Sequence, residues 1–390
     1  MSRRPLIWIT ALVCAGLAIG GVSILFGKKQ LWVGSILPLT GPNASIGLGM
    51  RNSLRLAIDE VNRRGGVQGH KIGLVDLDDA SLPATAAVDA NLLAEDQRIL
   101  GAVVHYDHDC STASKVTLSD ARVPHILGAI TTHEIPDTIG DWEFRLLPHG
   151  TEMLTPAFAY AWDILGARKF YYVDDHTTEG REKVWRFRDA MGKRFETSFV
   201  GNELFFKPGD SDFSAVVERL RTEAPDFIVF GGRAHDAGLF VKQLREGGVK
   251  APVLAQSHEL SQQFIEAAQD KAEGALQIFD GLPLEETAEG KSFLAAYQAA
   301  GFREPPGPFG IFAYVEMQAL LGAMEKSFLT RPSVRGALAN EQFETGLGPV
   351  RFFYLGSTYQ HRVLYQVIHG HWTPIYTTDA KGALQPLPHP

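Results

Sequence analysis

Six histidines fall in polar segments that directly follow short apolar runs of the chain: His105, His108, His133, His176, His235 and His258. Carboxylates stand beside several of them, such as Asp107 and Asp236. Imidazole is the commonest transition-metal ligand in proteins. One hypothesis is therefore a metal ion or metal complex bound through His108, His176, His235 and His258. The sequence contains no H-E-x-x-H spacing and no cysteine pair that would strengthen this hypothesis.

A single cysteine, Cys110, lies outside the first thirty residues, so the body of the chain cannot form an internal disulfide. A thiol two residues from His108 is a weak candidate for a nucleophile, because a catalytic thiol also needs an oriented base. No G-x-S-x-G sequence is present. We therefore predict a protein that is not an enzyme and that needs no cofactor.

The composition separates a basic leader from an acidic body. Residues 1–30 carry four basic groups and no acidic ones, which leaves 33 basic and 45 acidic residues in the rest of the chain, a formal charge of −12. An acidic surface of this size argues against nucleic acid and anionic membranes as partners. With 390 residues, 45% of them hydrophobic, the chain can form about two or three domains.

The leader contains Arg3 and Arg4, an uncharged stretch over 5–27, and then Lys28 and Lys29. This pattern is typical of a secretory signal peptide or of a single membrane anchor. A lipid anchor at Cys14 is disfavoured because the preceding Val13 is not small. All of these alternatives place residues 31 onward outside the cytoplasm, in the periplasm.

Short β-like runs alternate with amphipathic helical runs, a pattern that predicts an α/β fold with mostly parallel sheets. The pattern restarts near Phe170, which predicts two lobes. The first run has strands at 71–77, 99–104 and 125–129 and helices at 83–97 and 110–121. The second has strands at 170–174, 199–206, 226–231, 252–256 and 275–279 and helices at 180–194 and 236–247. Residues 289–328 are predicted to be helical, and strands are predicted after Gly346.

Several short motifs follow one another along the chain: Pro38-Leu-Thr-Gly-Pro42, Asn62 to Gly69, Asp76-Leu-Asp-Asp79, Phe144-Arg145, Gly209 to Ser214, and Pro308 to Tyr314. Their order and spacing resemble the type I periplasmic solute-binding proteins of the branched-chain amino acid (Leu/Ile/Val-binding) family. The resemblance covers about residues 31–376. It implies two Rossmann-like lobes joined by three hinge strands.

The implied lobe one comprises 31–146 and 282–344, and lobe two comprises 147–281 and 345–378, followed by a disordered tail at 379–390. The implied function is capture of a small polar solute, an amino acid, amide or small carboxylate, for an ATP-binding-cassette (ABC) permease. The alternatives are a sensing ectodomain tethered to the membrane by the leader, and the metal binder described above.

The resemblance also implies the ligand-contacting positions: Ile46, His108, Asp109, Cys110, Ser111, Thr131, Thr132, Glu179, Arg233 and Ser257. The α-helix N-terminus expected near Ser111 is a ready anion site, because its first amides lack intrahelical partners. Asp109 is the expected N-cap. Ile46, His108, Glu179 and Arg233 stand where amino-acid binders of the family often carry an aromatic or hydroxyl residue, and Ser257 replaces an expected acidic residue. Arg233 is either a counter-charge for an anionic ligand or a solvated arginine.

Overall fold

The computed structural model describes residues 30–128, 142–147, 154–177, 181, 185, 202–255, 260–353, 356–357, 362–378 and 383–387. Within them the α/β alternation predicted from the sequence is present in two successive units. None of the described helices has the length and hydropathy needed to cross a membrane.

The first unit is a five-stranded sheet whose strands all run parallel, in the order β2-β1-β3-β4-β5. Its elements are β1 (Leu31–Leu37), α1 (Ala44–Arg63), β2 (Ile72–Asp78), α2 (Pro83–Glu95), β3 (Ile99–Val104), α3 (His108–Asp120), β4 (His125–Leu127) and β5 (Glu143–Arg145). Alternate residues of β1 explain its place inside the sheet: Val33 and Leu37 pack in one hydrophobic core, and Ile36 packs in another on the opposite face.

The second unit is an eight-stranded sheet in which β7-β6-β8-β9-β10 are parallel and the three later strands antiparallel. Its elements up to the return crossing are α4 (Thr155–Ala159) with a π-helical turn at Tyr160–Ile164, β6 (Phe170–Asp174), β7 (Asn202–Phe205), α5 (Ser214–Glu223), β8 (Phe227–Gly231), α6 (Ala234–Glu246), β9 (Val253–Ala255), α7 (Gln262–Ala268) with a 3₁₀ turn at Gln269–Lys271, and β10 (Leu276–Asp280). Separate hydrophobic cores cover the two faces of this sheet.

The last part of the chain returns to both units. It forms α8 (Ala288–Ala300), α9 (Gly310–Glu325), α10 (Arg331–Asn340), β11 (Gln342–Thr345), β12 (Gly348–Phe353), β13 (Gly356–Ser357), β14 (Arg362–Ile368), β15 (His371–Thr378) and β16 (Leu384–Pro386). Strands β11 to β13 form a small antiparallel sheet. The continuous helical segment predicted at 289–328 is instead two helices, because the intervening segment contains Pro305, Pro306 and Pro308.

Two segments differ from the sequence prediction. Val350 and Phe352 of β12 pack in the same core as Val33, so residues up to Phe353 lie with the first unit, although the lobe-two segment was predicted to begin at 345. The prediction of a disordered tail is wrong for Leu384–Pro386, which pairs with β15 as an edge strand. An edge strand tolerates Pro386 because the missing N–H can face away from the pairing partner.

The crossings between the units are held by short polar and aromatic contacts. Ser357 Oγ donates a 2.6 Å hydrogen bond to the carbonyl of Leu146. Tyr365 Oη donates a 2.6 Å hydrogen bond to the carbonyl of Gly281, just after β10. The ring of Phe279 in β10 lies 5.7 Å from that of Phe309, which precedes α9. These contacts tie the segments that would act as a hinge.

Candidate functional site

The two parallel arrays share one strand order, and this order locates a crevice in each. In each array the second strand along the chain lies on one side of the first strand, and the later strands lie on its other side. The strand order therefore reverses between β1 and β3 in the first array and between β6 and β8 in the second. In open α/β sheets ligands bind outside the carboxyl ends of the strands that flank such a reversal. The candidate site therefore comprises the segments that follow these four strands.

The segment after β1 is fixed by a carboxylate at the end of β2. Asp78 accepts hydrogen bonds from the amides of Leu39 and Thr40 at 2.8 and 3.1 Å, and from Thr40 Oγ1 at 2.7 Å. Burial opposes ionisation of this carboxyl, but the hydrogen bonds from Thr40, Ala80 and Leu39 prevail and lower its pKa. The predicted contact residue Ile46, on the first turn of α1, is half-buried and packs against the core.

The α3 N-terminus follows β3, as predicted, but its capping differs from the prediction. The N-cap residue is Asp107, and its side chain makes no capping hydrogen bond to the helix. Its Oδ1 instead accepts a 3.0 Å bond from Asn43 Nδ2. Asp109 lies exposed in the first helical turn, so its predicted N-cap role is wrong. A β-region backbone at Asp107 places the helix start two residues earlier than expected.

Ser111 is buried at this helix start. It is 0% exposed, and its Oγ has no hydrogen-bond partner among the residues that the structure describes. Its amide donates to the carbonyl of Asp107, which begins the intrahelical pattern. A buried hydroxyl without a partner loses free energy on the order of 1–3 kcal/mol unless something pairs with it. A helix start also favours negative charge. The position therefore suits an anionic or carbonyl group of a ligand.

A buried polar network lies beneath Ser111. His105 Nδ1 is 3.0 Å from Asp79 Oδ2, and His105 Nε2 is 2.6 Å from Ser114 Oγ. His105 and Asp79 are both 0% exposed. The backbone of His105 has φ +61°, an uncommon conformation for a residue with a side chain. The three bonded residues come from the end of β2, the end of β3 and α3, so this network fixes the crevice of the first unit.

Cys110 lies against the same network. Atoms of Asp79, Asp107 and Cys110 that can ligate a metal all lie within 4.8 Å of one another. Burial, followed by the carboxylates of Asp79, Asp107 and Asp109, raises the pKa of the Cys110 thiol. The thiol is therefore protonated at neutral pH, which is the opposite of what a nucleophilic cysteine needs.

In the second unit, Arg233 and His235 flank the start of α6 and are exposed. Asp236 beside them is buried, and its Oδ2 accepts from the amide of Gly209 at 3.3 Å. His176, after β6, is also exposed, and its ring centre lies 4.5 Å from that of Phe205. Arg233 thus has the exposure that either predicted role requires.

The structure brings some of the predicted residues together and leaves others untested. His108, Asp109, Cys110 and Ser111 share the first turn of α3. Predicted contacts at Thr131, Thr132, Glu179, Ser257 and the predicted ligand His258 lie outside the described residues. Among described side chains, the one potential metal-binding group contains none of His108, His176 and His235.

Asp79 was not among the predicted site residues. It is the last residue of the Asp76-Leu-Asp-Asp79 motif. The sequence did contain a signal for it, because it is a carboxylate directly after β2, and β2 pairs with β1 at the crevice. A carboxylate in that position is at the sheet edge where ligands collect. Its partner His105 was noted in the sequence, but only as one of many histidines.

Known proteins resemble this chain over most of its length. Leu/Ile/Val-binding protein homolog 1 of Brucella abortus is 25% identical over 347 residues, which is 87% of this chain and 91% of that protein. The isoleucine complex of LivJ, a branched-chain amino acid transporter substrate-binding protein from Streptococcus pneumoniae, has a TM-score of 0.74 at 23% identity and covers 89% of this chain and 100% of that one. A solute-binding protein from Rhodopseudomonas palustris in complex with benzoate has a TM-score of 0.70 at 19% identity, covering 89% and 96%.

These structural likenesses confirm the predicted fold class. The family comparison confirms the predicted kinship: a profile described as periplasmic binding protein matches residues 30–368. Because that match spans far more than half of the sequence, the chain belongs to the periplasmic binding protein family.

Proposed function

We propose that this protein captures one small polar solute between the crevices of its two units and delivers it to an ABC permease. Membership of the family implies an exported periplasmic binding protein for a small ligand. Relatives named for leucine, isoleucine and valine, and a structural neighbour holding benzoate, support an amino acid, amide or small carboxylate as the solute. Binding and release require no covalent step, so we propose no catalytic role.

The observation that carries the proposal is the unpaired hydroxyl of Ser111 at the uncapped start of α3. Helix-start amides and a buried hydroxyl together form a donor set for a carboxylate or carbonyl. The group sits at the strand-order reversal of the first unit. We propose that Arg233, from the second unit, provides the opposing charged contact. Closure would then bury a ligand that touches both units, as in hinge-type binding proteins.

The first test is a ligand screen by thermal shift and calorimetric titration. It uses free amino acids including isoleucine, small amides, and carboxylates including benzoate. A ligand that binds only the folded protein stabilises it by about 2.7 kcal/mol at a hundredfold excess over Kd. At least one class should raise the melting temperature clearly. A broad screen without a hit, on protein shown by mass spectrometry to be ligand-free, argues against solute capture.

The second test asks whether Ser111 contacts the ligand. Ser119 is a matched control, because its Oγ is also buried without a partner among the described residues but lies at the far end of α3. Ser111→Ala should weaken binding of the best ligand by about tenfold, the effect of losing roughly 1.4 kcal/mol. Ser119→Ala should leave its affinity unchanged. Equal ligand affinities of the two variants would show that Ser111 does not contact the ligand.

Arg233→Ala tests the contact from the second unit. If Arg233 pairs with an anionic ligand, removing it should weaken binding at least tenfold while the melting temperature of the ligand-free protein hardly changes. Arg219, an exposed arginine paired with Glu223 in α5, is the control. Unchanged affinity in Arg233→Ala would show that Arg233 is a solvated surface residue that does not contact the ligand.

The leader decides how the protein is held in the periplasm. Its basic ends and uncharged centre support export, followed by cleavage or by retention as a tether. A reporter that is active only in the periplasm, fused after Pro390, should give signal. Mass spectrometry of the mature N-terminus then separates a cleaved signal from a retained anchor. A silent but intact fusion would contradict export.

A further inference from the structure

An acidic pocket adjoins the proposed ligand site. Asp79, Asp107 and Cys110 converge from the end of β2 and the start of α3. Asp79 and Cys110 are 0% and 1% exposed, and Asp107 is half-buried. Because the three ligating atoms are at most 4.8 Å apart, one point can lie within about 2.8 Å of all three; bonds from zinc to oxygen and sulfur are roughly 2.0–2.3 Å. Shifts of about 0.5 to 0.8 Å would complete three bonds.

The surroundings of this pocket are rich in carboxylates. Asp89 of α2 is 8% exposed, its Oδ2 has no hydrogen-bond partner among the described residues, and its charge interacts with that of Asp79. Among the described residues no lysine or arginine forms an ion pair with Asp79 or Asp89; Asp79 accepts a hydrogen bond from the amide of Ser81 and lies 3.0 Å from His105 Nδ1. Buried carboxylates without counter-charges are strongly destabilising, so they are normally paired or bound to a metal ion.

The carboxylates beside the helix start would weaken the binding of a carboxylate ligand to the donors at Ser111 when no cation is present. Neither Asp107 nor Asp109 caps the helix through its side chain. Their carboxylates lie at the N-cap and in the first turn of the helix, and would repel an anionic group placed near Ser111. A bound divalent cation would reduce this repulsion and give the anionic group a positive ion to bind.

We propose that Asp79, Asp107 and Cys110 together bind one divalent cation of the zinc class, and that the ion's remaining position accepts the anionic end of the solute. The second half of this inference rests on the proposed function. Binding exchanges the proton of the Cys110 thiol for a sulfur–metal bond and releases that proton to solvent. Three protein ligands with an open fourth position are a common zinc arrangement.

The donor set favours zinc over magnesium and calcium. A thiolate selects soft and borderline ions, whereas magnesium and calcium take oxygen ligands. His105 Nδ1 lies 3.0 Å from Asp79 Oδ2, and an N–H donated there to the carboxylate is the type of outer contact that orients a metal ligand.

The experiment uses full-length protein without an affinity tag, treated with a chelator and then titrated with Zn²⁺ or Cd²⁺. We expect one ion per chain and, with Cd²⁺, an ultraviolet thiolate-to-metal charge-transfer band. Cys110→Ser should abolish the band and weaken Zn²⁺ binding by more than about a hundredfold, since even outer contacts are worth 10–100-fold. Asp107→Asn should weaken it similarly.

Asp59→Asn is the matched control, because Asp59 is an exposed aspartate on α1 of the same unit. It should bind Zn²⁺ like the unaltered protein. Circular dichroism of each metal-free variant verifies folding; if Cys110→Ser fails to fold, Asp107→Asn alone decides. Absence of Zn²⁺ binding would overturn the site. Zn²⁺ binding that survives in Asp107→Asn would also overturn it, and would assign the ion to surface histidines.

The solute half is tested separately by titrating the best ligand with and without Zn²⁺. A gain of at least tenfold with Zn²⁺, absent in Asp107→Asn, supports the proposed link. Equal solute affinity with and without Zn²⁺ overturns the link and leaves solute capture intact. If Zn²⁺ binds but no solute is found, the metal site stands and the proposed function fails.

Discussion

Arg331 clamps the elements that carry the proposed site. It is 8% exposed, at the first position of α10. Its Nε donates to the carbonyl of Ile99 at 2.8 Å. One Nη donates to Ala94 and Ala121 at 3.2 and 3.1 Å, and the other to Leu93 and Asp96 at 3.4 and 2.7 Å. These carbonyls end α2, follow α3 and begin β3. Helix-end carbonyls lack intrahelical partners, and a cation there also suits the helix dipole.

Arg331→Met should lower the free energy of unfolding by about 3–5 kcal/mol. The shortest bonds, to Ile99 and Asp96, are each worth on the order of 1.5–3 kcal/mol as bonds from a charged donor. Burial lowers the pKa of Arg331, although Asp96 opposes this, so the cost of desolvating the guanidinium offsets part of the gain. Methionine keeps the apolar part of the side chain but removes all five N–H donors, so the change in stability measures the hydrogen bonds and the charge of Arg331.

Urea denaturation measures the loss, and Arg303→Met, the same change at an exposed arginine, is the control. That control should shift stability by less than about 0.5 kcal/mol. Since two units need not unfold together, hydrogen exchange of the α2 amides shows whether the loss is in the first unit. A change below about 1 kcal/mol in Arg331→Met, or unchanged exchange in α2, would refute the clamp.

Two further predictions concern the hinge and the first helix. Burial, opposed by Arg362, raises the pKa of Asp280 to about 7. The folded state therefore favours the protonated acid, and its stabilisation, complete below about pH 4, is lost as the pH rises through about 7, at up to about 1.4 kcal/mol per pH unit. Between pH 5 and pH 8 the free energy of unfolding should therefore fall by more in the unaltered protein than in Asp280→Asn. An equal fall in the two proteins would contradict this assignment. Gly47→Ala should destabilise by roughly 1–3 kcal/mol in urea titrations, because the new Cβ would lie 2.0 Å from the carbonyl oxygen of Pro38; unchanged stability would show that α1 can shift, and Gly336→Ala, where a Cβ meets open space, is the control.

Local sequence patterns predicted the elements well where the periodicity was strong. Phe170–Asp174 was predicted with its observed bounds, and α6 and β10 shift by one or two residues. A buried parallel strand is a short continuous apolar run, which the sequence displays directly. The break between α8 and α9 was missed, although Pro305, Pro306 and Pro308 mark it, because the flanking segments are both rich in helix-forming residues.

The sequence by itself determined the order of strands and helices, and with it the crevice at the α3 start, because apolar periodicity and chain order are local properties. Which polar residues meet there was decided only by the tertiary structure. Asp79 and His105 are 26 positions apart and come from strands that flank β1 on opposite sides. Cys110 joins them because α3 begins at His108. Residues that far apart become neighbours only when the sheet forms, and whether a histidine in such a segment is exposed, like His235, or fully buried, like His105, depends on packing from other elements.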